Sequence, residues 1–247
     1  MFWIRASIAS LGFGLAVTWY VILRFVPVSN AFRRQSFARV MAFLCTRPAG
    51  IRLTIIGRER IGRQTPCVYA SNHQSQLDYP IVGHIFPGDA LVMASQIGDW
   101  FFMGMLFRSS GSLTLEKDVP VRAAADLEKA ERAIREEGNS VWMFAEGTRG
   151  KIPGKMGAFK RGAFRLAART GVPVIPVVIS PLKPETDLRG RRLTPHDVTL
   201  QVLDPVYANG PTREDEEELR DEVRARMQQT LDAHSRAPVM APARRHR

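Results

Sequence analysis

His73 and Asp78 stand five residues apart in the run Ser71-Asn72-His73-Gln74-Ser75-Gln76-Leu77-Asp78, directly after a short apolar segment that favours a strand. On a continuous helix five positions turn through about 500°, which leaves the two side chains roughly 140° apart. They can meet only if the chain bends between them, with His73 in a loop and Asp78 in the first turn of a following helix. The carboxylate then accepts a hydrogen bond from one imidazole nitrogen and leaves the other basic, which is the base and orienter of a catalytic triad without its nucleophile. No Gly-x-Ser-x-Gly run is present, and neither Cys45 nor Cys67 lies in a catalytic signature. The substrate would therefore supply the nucleophile, most simply a hydroxyl. Taken alone, a histidine five positions from a carboxylate also describes a loop residue packing locally, in a chain with 5 histidines and 24 acidic residues.

Three further runs give the pair company: Gly111-Ser112-Leu113-Thr114-Leu115-Glu116-Lys117, Phe144-Ala145-Glu146-Gly147-Thr148-Arg149 and Val172-Pro173-Val174-Ile175-Pro176-Val177. With Asn72 to Asp78 they resemble, in order and spacing, the Asn-His-x4-Asp, Phe-Pro-Glu-Gly-Thr-Arg and Val-Pro-Ile-Ile-Pro-Val blocks of the 1-acylglycerol-3-phosphate acyltransferase family, the Gly111 run being the loosest match. The resemblance covers residues from about 50 to 205. It implies a glycerol-3-phosphate acyltransferase-like α/β fold and transfer of a fatty acyl group from an acyl thioester to the free hydroxyl of lysophosphatidic acid, giving phosphatidic acid in phospholipid biosynthesis. His73 and Asp78 would be catalytic; Asn72, Lys117, Glu146, Gly147, Thr148 and Arg149 would bind substrate. Acyl-CoA or acyl carrier protein would be the co-substrate, with no bound cofactor and no metal.

Within that frame Arg149 suits the acceptor phosphate, because a guanidinium grips phosphate through two parallel hydrogen bonds. Gly147 allows close approach of the backbone to a ligand. Glu146 either fixes Arg149 or accepts from a substrate hydroxyl. The sequence departs from the family at Ala145, where proline is usual, at Lys117, where arginine is usual, and at Ser95-Gln96, where many members carry lysine. Two of these changes weaken phosphate contacts, which keeps a different lysolipid open as acceptor, lyso-ornithine lipid or another lysophospholipid. A catalytically silent lipid-binding scaffold is the alternative from another class.

The elements that must position these residues follow from composition and periodicity. At 247 residues, 45% hydrophobic and 24% charged, the chain holds one well-cored domain with appendages. A net charge of +11 calls for an anionic partner. Nucleic acid is a poor choice, since no helix-turn-helix, zinc-finger or RNA-binding signature is present and the start is apolar. Cys45 and Cys67 read as buried thiols. Residues 6–23 form an uncharged run of 18 residues between Arg5 and Arg24, about 27 Å as a helix. With the apolar stretch 37–44 it either spans a bilayer or lies in one leaflet as a helical pair. Arg24, Arg33, Arg34 and Arg39 after the run would place the body on the cytoplasmic side.

From Ile51 the period changes. Strands are predicted at 51–55, 67–70, 90–94, 112–115, 141–144, 174–179 and 198–202, and helices at 120–138, 157–170 and 214–233. The 100–107 stretch reads as a core or membrane-facing helix. Pro173 and Pro176 read as shaping an edge strand. Strands alternating with helices at this spacing predict a single mixed α/β sheet flanked by helices, with both candidate loops beyond strand ends, where such sheets bind ligands. The expected organisation is a membrane-anchoring segment over 1–48, an acyltransferase domain over 49–210, and a C-terminal amphipathic helix with a basic, disordered tail over 211–247.

Overall fold

Short β-branched and aromatic runs that are apolar on both sides, such as Val68-Tyr69-Ala70 and Val141-Trp142-Met143-Phe144, are what a parallel sheet covered on both faces requires. The computed structural model, which describes residues 1–94, 109–110, 112–115, 120–150, 152, 154–182 and 191–236, bears this out. Among these residues seven strands form one sheet: β1 (Ile51–Ile56), β2 (Val68–Ser71), β3 (Ala90–Ala94), β4 (Leu113–Thr114), β5 (Ser140–Phe144), β6 (Val174–Ile179) and β7 (His196–Val202), in the order β1-β7-β6-β2-β5-β3-β4. Strands β6, β2, β5, β3 and β4 run parallel; β7 pairs antiparallel with β6, and β1 parallel with β7. The sheet is mixed, as the alternating pattern predicts.

The helices are α1 (Phe2–Leu23), α2 (Asn30–Ala49), α3 (Asp78–Gly83), α4 (Pro120–Arg135), α5 (Gly162–Thr170) and α6 (Arg213–Arg236). One sheet face, carrying Val68, Ala70, Val141, Met143 and Val178, packs against Leu127 and Ile134 of α4, Phe164 and Leu166 of α5, and Leu219, Val223, Met227 and Leu231 of α6. The opposite face, carrying Cys67, Tyr69, Trp142, Ile175 and Val177, packs against Ala38 of α2, Ile81 and Val82 of α3, and Phe86. The apolar residues that recur every three or four positions along these helices, Leu127, Ala130 and Ile134 of α4 and Leu219, Val223, Met227 and Leu231 of α6, are the buried ones.

Two expectations are corrected. Pro176 lies in the interior of the sheet, not at its edge, because β6 is flanked by β2 and β7. It fits there since its carbonyl accepts from Leu203 N, while the place of its missing N–H falls where β7 has ended and before the Val174–Val206 bridge. The helix expected over 157–170 begins only at Gly162: the N–H groups of Gly157 and Lys160 are taken by Glu146 and the Ala145 carbonyl, which hold the chain out of helix. The second apolar stretch, 37–44, lies within a longer helix. Helix α2 runs over twenty residues and contains all of Arg33, Arg34, Arg39 and Arg47, whose charges broke the apolar pattern.

Helices α1 and α2 form an antiparallel pair. Gly12 lets α1 approach the Leu44 backbone closely, and Trp19 Nε1 donates to Ser36 Oγ at 2.7 Å. Arg33 donates to the Leu23 and Val26 carbonyls and so caps the end of α1. Helix α2 seats on the body where Gly83 faces Ala38 and Ala42, and Thr46 Oγ1 hydrogen-bonds His84 Nε2 at 3.0 Å. Outward, α1 leaves Ile4, Ile8, Leu11, Leu15, Trp19 and Ile22 exposed. Among the described residues it is the one helix long and apolar enough to cross a membrane, with mean hydropathy 1.8.

Candidate active site

Strands β2 and β5 are parallel neighbours, with Ser71 level with Phe144, so the loops that leave them emerge side by side. One carries His73, the other Glu146 to Arg149. The 72–78 loop turns back through Ser75, whose carbonyl accepts from Asp78 N and whose Oγ accepts from Leu77 N, and α3 starts at Asp78. This is the bend that the spacing demands. Asp78, 0% exposed at its side chain, receives three hydrogen bonds on Oδ2: from His73 Nδ1 at 2.7 Å, Gln74 N at 2.5 Å and Ser75 N at 2.8 Å. A carboxylate only accepts, so Nδ1 carries the proton and Nε2 is the basic nitrogen of the neutral ring. Nε2 makes no hydrogen bond with the described residues, and the His73 side chain is 11% exposed. The imidazole lies flat on Phe144, 4.1 Å between ring centroids, with Tyr79 edge-on at 5.7 Å. Two rings and one carboxylate therefore fix both the tilt and the tautomer of the imidazole.

The residues beside His73 anchor the loop. Asn72 donates through Nδ2 to the Ile179 carbonyl at 3.0 Å and accepts at Oδ1 from Ile179 N at 2.8 Å, joining the ends of β2 and β6. Gln74 donates to the Ile179 and Ser180 carbonyls and accepts from Leu182 N. Glu146, 3% exposed, accepts from His73 N at Oε1 (3.1 Å) and from Gly157 N at Oε2 (2.8 Å), while Gly150 N donates to the His73 carbonyl. The His73 main chain is thus held from the β5 side, and its neighbours Asn72 and Gln74 from the β6 side.

Asn72 and Glu146, expected at the substrate, are both buried with their polar ends engaged by main-chain groups, and Glu146 holds His73 and Gly157, not Arg149. Arg149 is half-buried and, like the exposed Thr148, makes no side-chain hydrogen bond or ion pair with the described residues. It lies close enough to Tyr79 to act on its phenol, whose pKa burial pushes up to about 12, the Asp78 charge adding and the Arg149 charge opposing. Tyr79 is therefore neutral at ordinary pH. Gly147 adopts φ +64°, and a Cβ there would press on Lys160 at 3.1 Å. Lys155 and Lys160 are exposed nearby. Lys117, Lys151, Ser95-Gln96, the 100–107 stretch and the tail beyond Arg236 lie outside the described residues.

Sequence reasoning passed over Gln74, Tyr79, Phe144 and Gly157. Gln74 adjoins His73 and Tyr79 adjoins Asp78 in sequence; Phe144 and Gly157 become site residues through contacts with His73 and Glu146 that the fold makes. The arrangement can take a proton at Nε2 from a group bound beside Arg149, and it holds a cation free for an anion at the same mouth.

A sequence model of the acyltransferase family matches residues 52–180. The chain is 32% identical over 179 residues to human 1-acyl-sn-glycerol-3-phosphate acyltransferase alpha, covering 72% of this chain and 63% of that protein. It is 31% identical over 201 residues to the human beta enzyme (76% and 68%), and 30% identical over 153 residues to the 1-acyl-sn-glycerol-3-phosphate acyltransferase of Haemophilus influenzae (62% and 62%). The chain spans about two thirds of the length of these relatives. In fold it is similar to the crystal structure of the 1-acyl-sn-glycerophosphate acyltransferase PlsC of Thermotoga maritima, with a TM-score of 0.73 over 96% of this chain and 99% of that one at 22% identity.

Proposed function

Since the chain belongs to the acyltransferase family, among the relatives of the 1-acyl-sn-glycerol-3-phosphate acyltransferases, we propose that it transfers a fatty acyl group from a thioester to the free hydroxyl of lysophosphatidic acid. The observation that carries this reading is the 2.7 Å contact from His73 Nδ1 to Asp78, with Nε2 unengaged beside the Glu146 to Arg149 turn. His73 Nε2 takes the hydroxyl proton as that oxygen attacks the thioester carbonyl. Buried Asp78 stabilises the imidazolium that forms. The tetrahedral intermediate collapses, the carbon–sulfur bond breaks, and the departing thiolate takes the proton back from His73. Ester and free thiol result, with atoms and charge balanced. General-base assistance of this kind contributes on the order of 10²–10⁴-fold, and positioning supplies much of the remainder.

Arg149 holds the acceptor phosphate, and Lys155 and Lys160 add positive charge for a donor that is itself phosphorylated, acyl-CoA or acyl carrier protein. Helix α1 and the exposed Phe25, Val26, Phe32 and Phe43 sit in the bilayer, with the site on the cytoplasmic face. The test is incubation of the membrane fraction with each labelled thioester and a panel of lysolipids, with product identified by mass. Phosphatidic acid is expected from wild type, none from His73→Ala, and from Arg149→Ala a raised KM for the phosphate-bearing acceptor. A product mass matching another lysolipid would reassign the acceptor; turnover by His73→Ala would remove the mechanism.

A further inference from the structure

Helix α6 lies beyond residue 180, where the family match ends, yet its side chains connect to the His73 loop through residues 154–157 and Glu146. Residues 154–157 run outside helix and strand, so their main-chain polar groups need partners from elsewhere. Two residues one turn apart on α6 provide them. Gln228 accepts from Met156 N at 3.2 Å and donates to the Gly154 carbonyl at 3.5 Å. Arg224 donates from Nε to the Gly157 carbonyl at 3.2 Å and from Nη2 to the Met156 carbonyl at 3.3 Å. Met156 is buried in the same core cluster as Val223, Met227 and Leu231 of α6. The next link is Gly157 N, which donates to Glu146 Oε2, and the last is Glu146 Oε1, which accepts from His73 N.

We propose that Arg224 and Gln228 are positioning residues for the reaction: by fixing residues 154–157 they orient the Glu146 carboxylate, and Glu146 in turn sets the main chain of the general base. Each link has a physical reason. A carboxylate this deeply buried needs its donors, and its orientation is set by where they stand. If Gly157 moves away, Glu146 loses one of its two partners and is free to rotate, and the His73 N–H loses a fixed acceptor. Asp78, the two rings and the Gly150 N–H then hold His73 with no fixed acceptor at its own N–H, and a displacement well below 1 Å from the productive geometry lowers the rate. Helix α6 is on this account part of the catalytic apparatus and more than a cover for one sheet face.

The inference rests on His73 as the base, so the test pairs a kinetic readout with one that needs no turnover. In the full chain, the double variant Arg224→Ala/Gln228→Ala is compared with Leu219→Ala, which removes core packing from the same helix about one and a half turns before Arg224. The double variant is expected to lose kcat by on the order of tenfold or more at unchanged KM for both substrates, and Arg224→Lys or Gln228→Ala alone to lose less. Backbone amide exchange at 72–75, followed by mass spectrometry, is expected to accelerate in the double variant and to stay at the wild-type rate in Leu219→Ala. Wild-type kcat and exchange in the double variant, or the same losses in Leu219→Ala at matched stability, would overturn the brace. Wild type inactive on every lysolipid while 72–75 exchange still responds to α6 would instead remove the base assignment and leave the mechanical link standing.

Discussion

Chemistry in this site rests on one shared oxygen. Asp78 Oδ2 collects the imidazole proton and two loop N–H groups, while Oδ1 is buried without a hydrogen-bond partner among the described residues. An Asp78→Asn side chain can keep its carbonyl oxygen at the Oδ2 position, where the three donors converge, and place its NH₂ where Oδ1 already lacks a partner. The loop should therefore keep its shape, losing only the negative charge that in the proposed mechanism stabilises the imidazolium. The expected outcome is a kcat lower by about 10²–10⁴-fold with little change in either KM, and a melting temperature close to wild type, read by steady-state kinetics and thermal denaturation. A large fall in melting temperature with unchanged kcat would mean that Asp78 is there for the loop alone. Tyr79, neutral because burial holds its phenol near 12, packs edge-on to both His73 and Phe144 and brings no competing charge.

At the level of elements, the site depends on strand ends tied to one another and on a helical pair pressed close against α3. Asn72 and Gln74 do the first, joining the exits of β2 and β6 through Ile179. Glycines do the second. A Cβ at Gly83 would stand 2.6 Å from the Ala38 carbonyl oxygen, a backbone atom that cannot give way without moving α2. Gly14, on the far side of α1, has nothing within 4 Å. Gly83→Ala is therefore expected to destabilise by roughly 1–3 kcal/mol, the range for overpacking, and to make α2 more susceptible to proteolysis. Gly14→Ala should be neutral or stabilising by up to about 1 kcal/mol through helix propensity. Denaturant titration of the two variants side by side checks the contrast.

Taken whole, the molecule is a basic α/β body with one long apolar surface on α1. Lipid chains are the medium that makes such a surface inexpensive, and its exposed Leu11 and Leu15 can be altered without touching the fold. Leu11→Asp/Leu15→Asp adds two charges that each cost roughly 2.5–3.5 kcal/mol at the centre of an inserted helix. Flotation with liposomes containing anionic lipid should move the variant from the bound to the free fraction, while circular dichroism remains that of wild type. Binding undiminished by the two aspartates would place the membrane contact elsewhere, with the arginines of α2 the next candidates.

Much of this was legible in the chain. The strand sequence, the stripes of α4 and α6, and the meeting of His73 with Asp78 follow from local rules, since periodicity and a five-residue spacing speak only of neighbours in sequence. The pairing partner of β6, the depth of Glu146, the unwound start of α5 and the reach of Arg224 and Gln228 were decided by tertiary structure. Glu146 shows why: its type and its Gly-rich neighbourhood suit a substrate contact equally well, and only two N–H groups, 73 residues before it and 11 after it, turn the carboxylate inward. A sequence fixes which groups can bond; which of them do is a property of strands packed side by side.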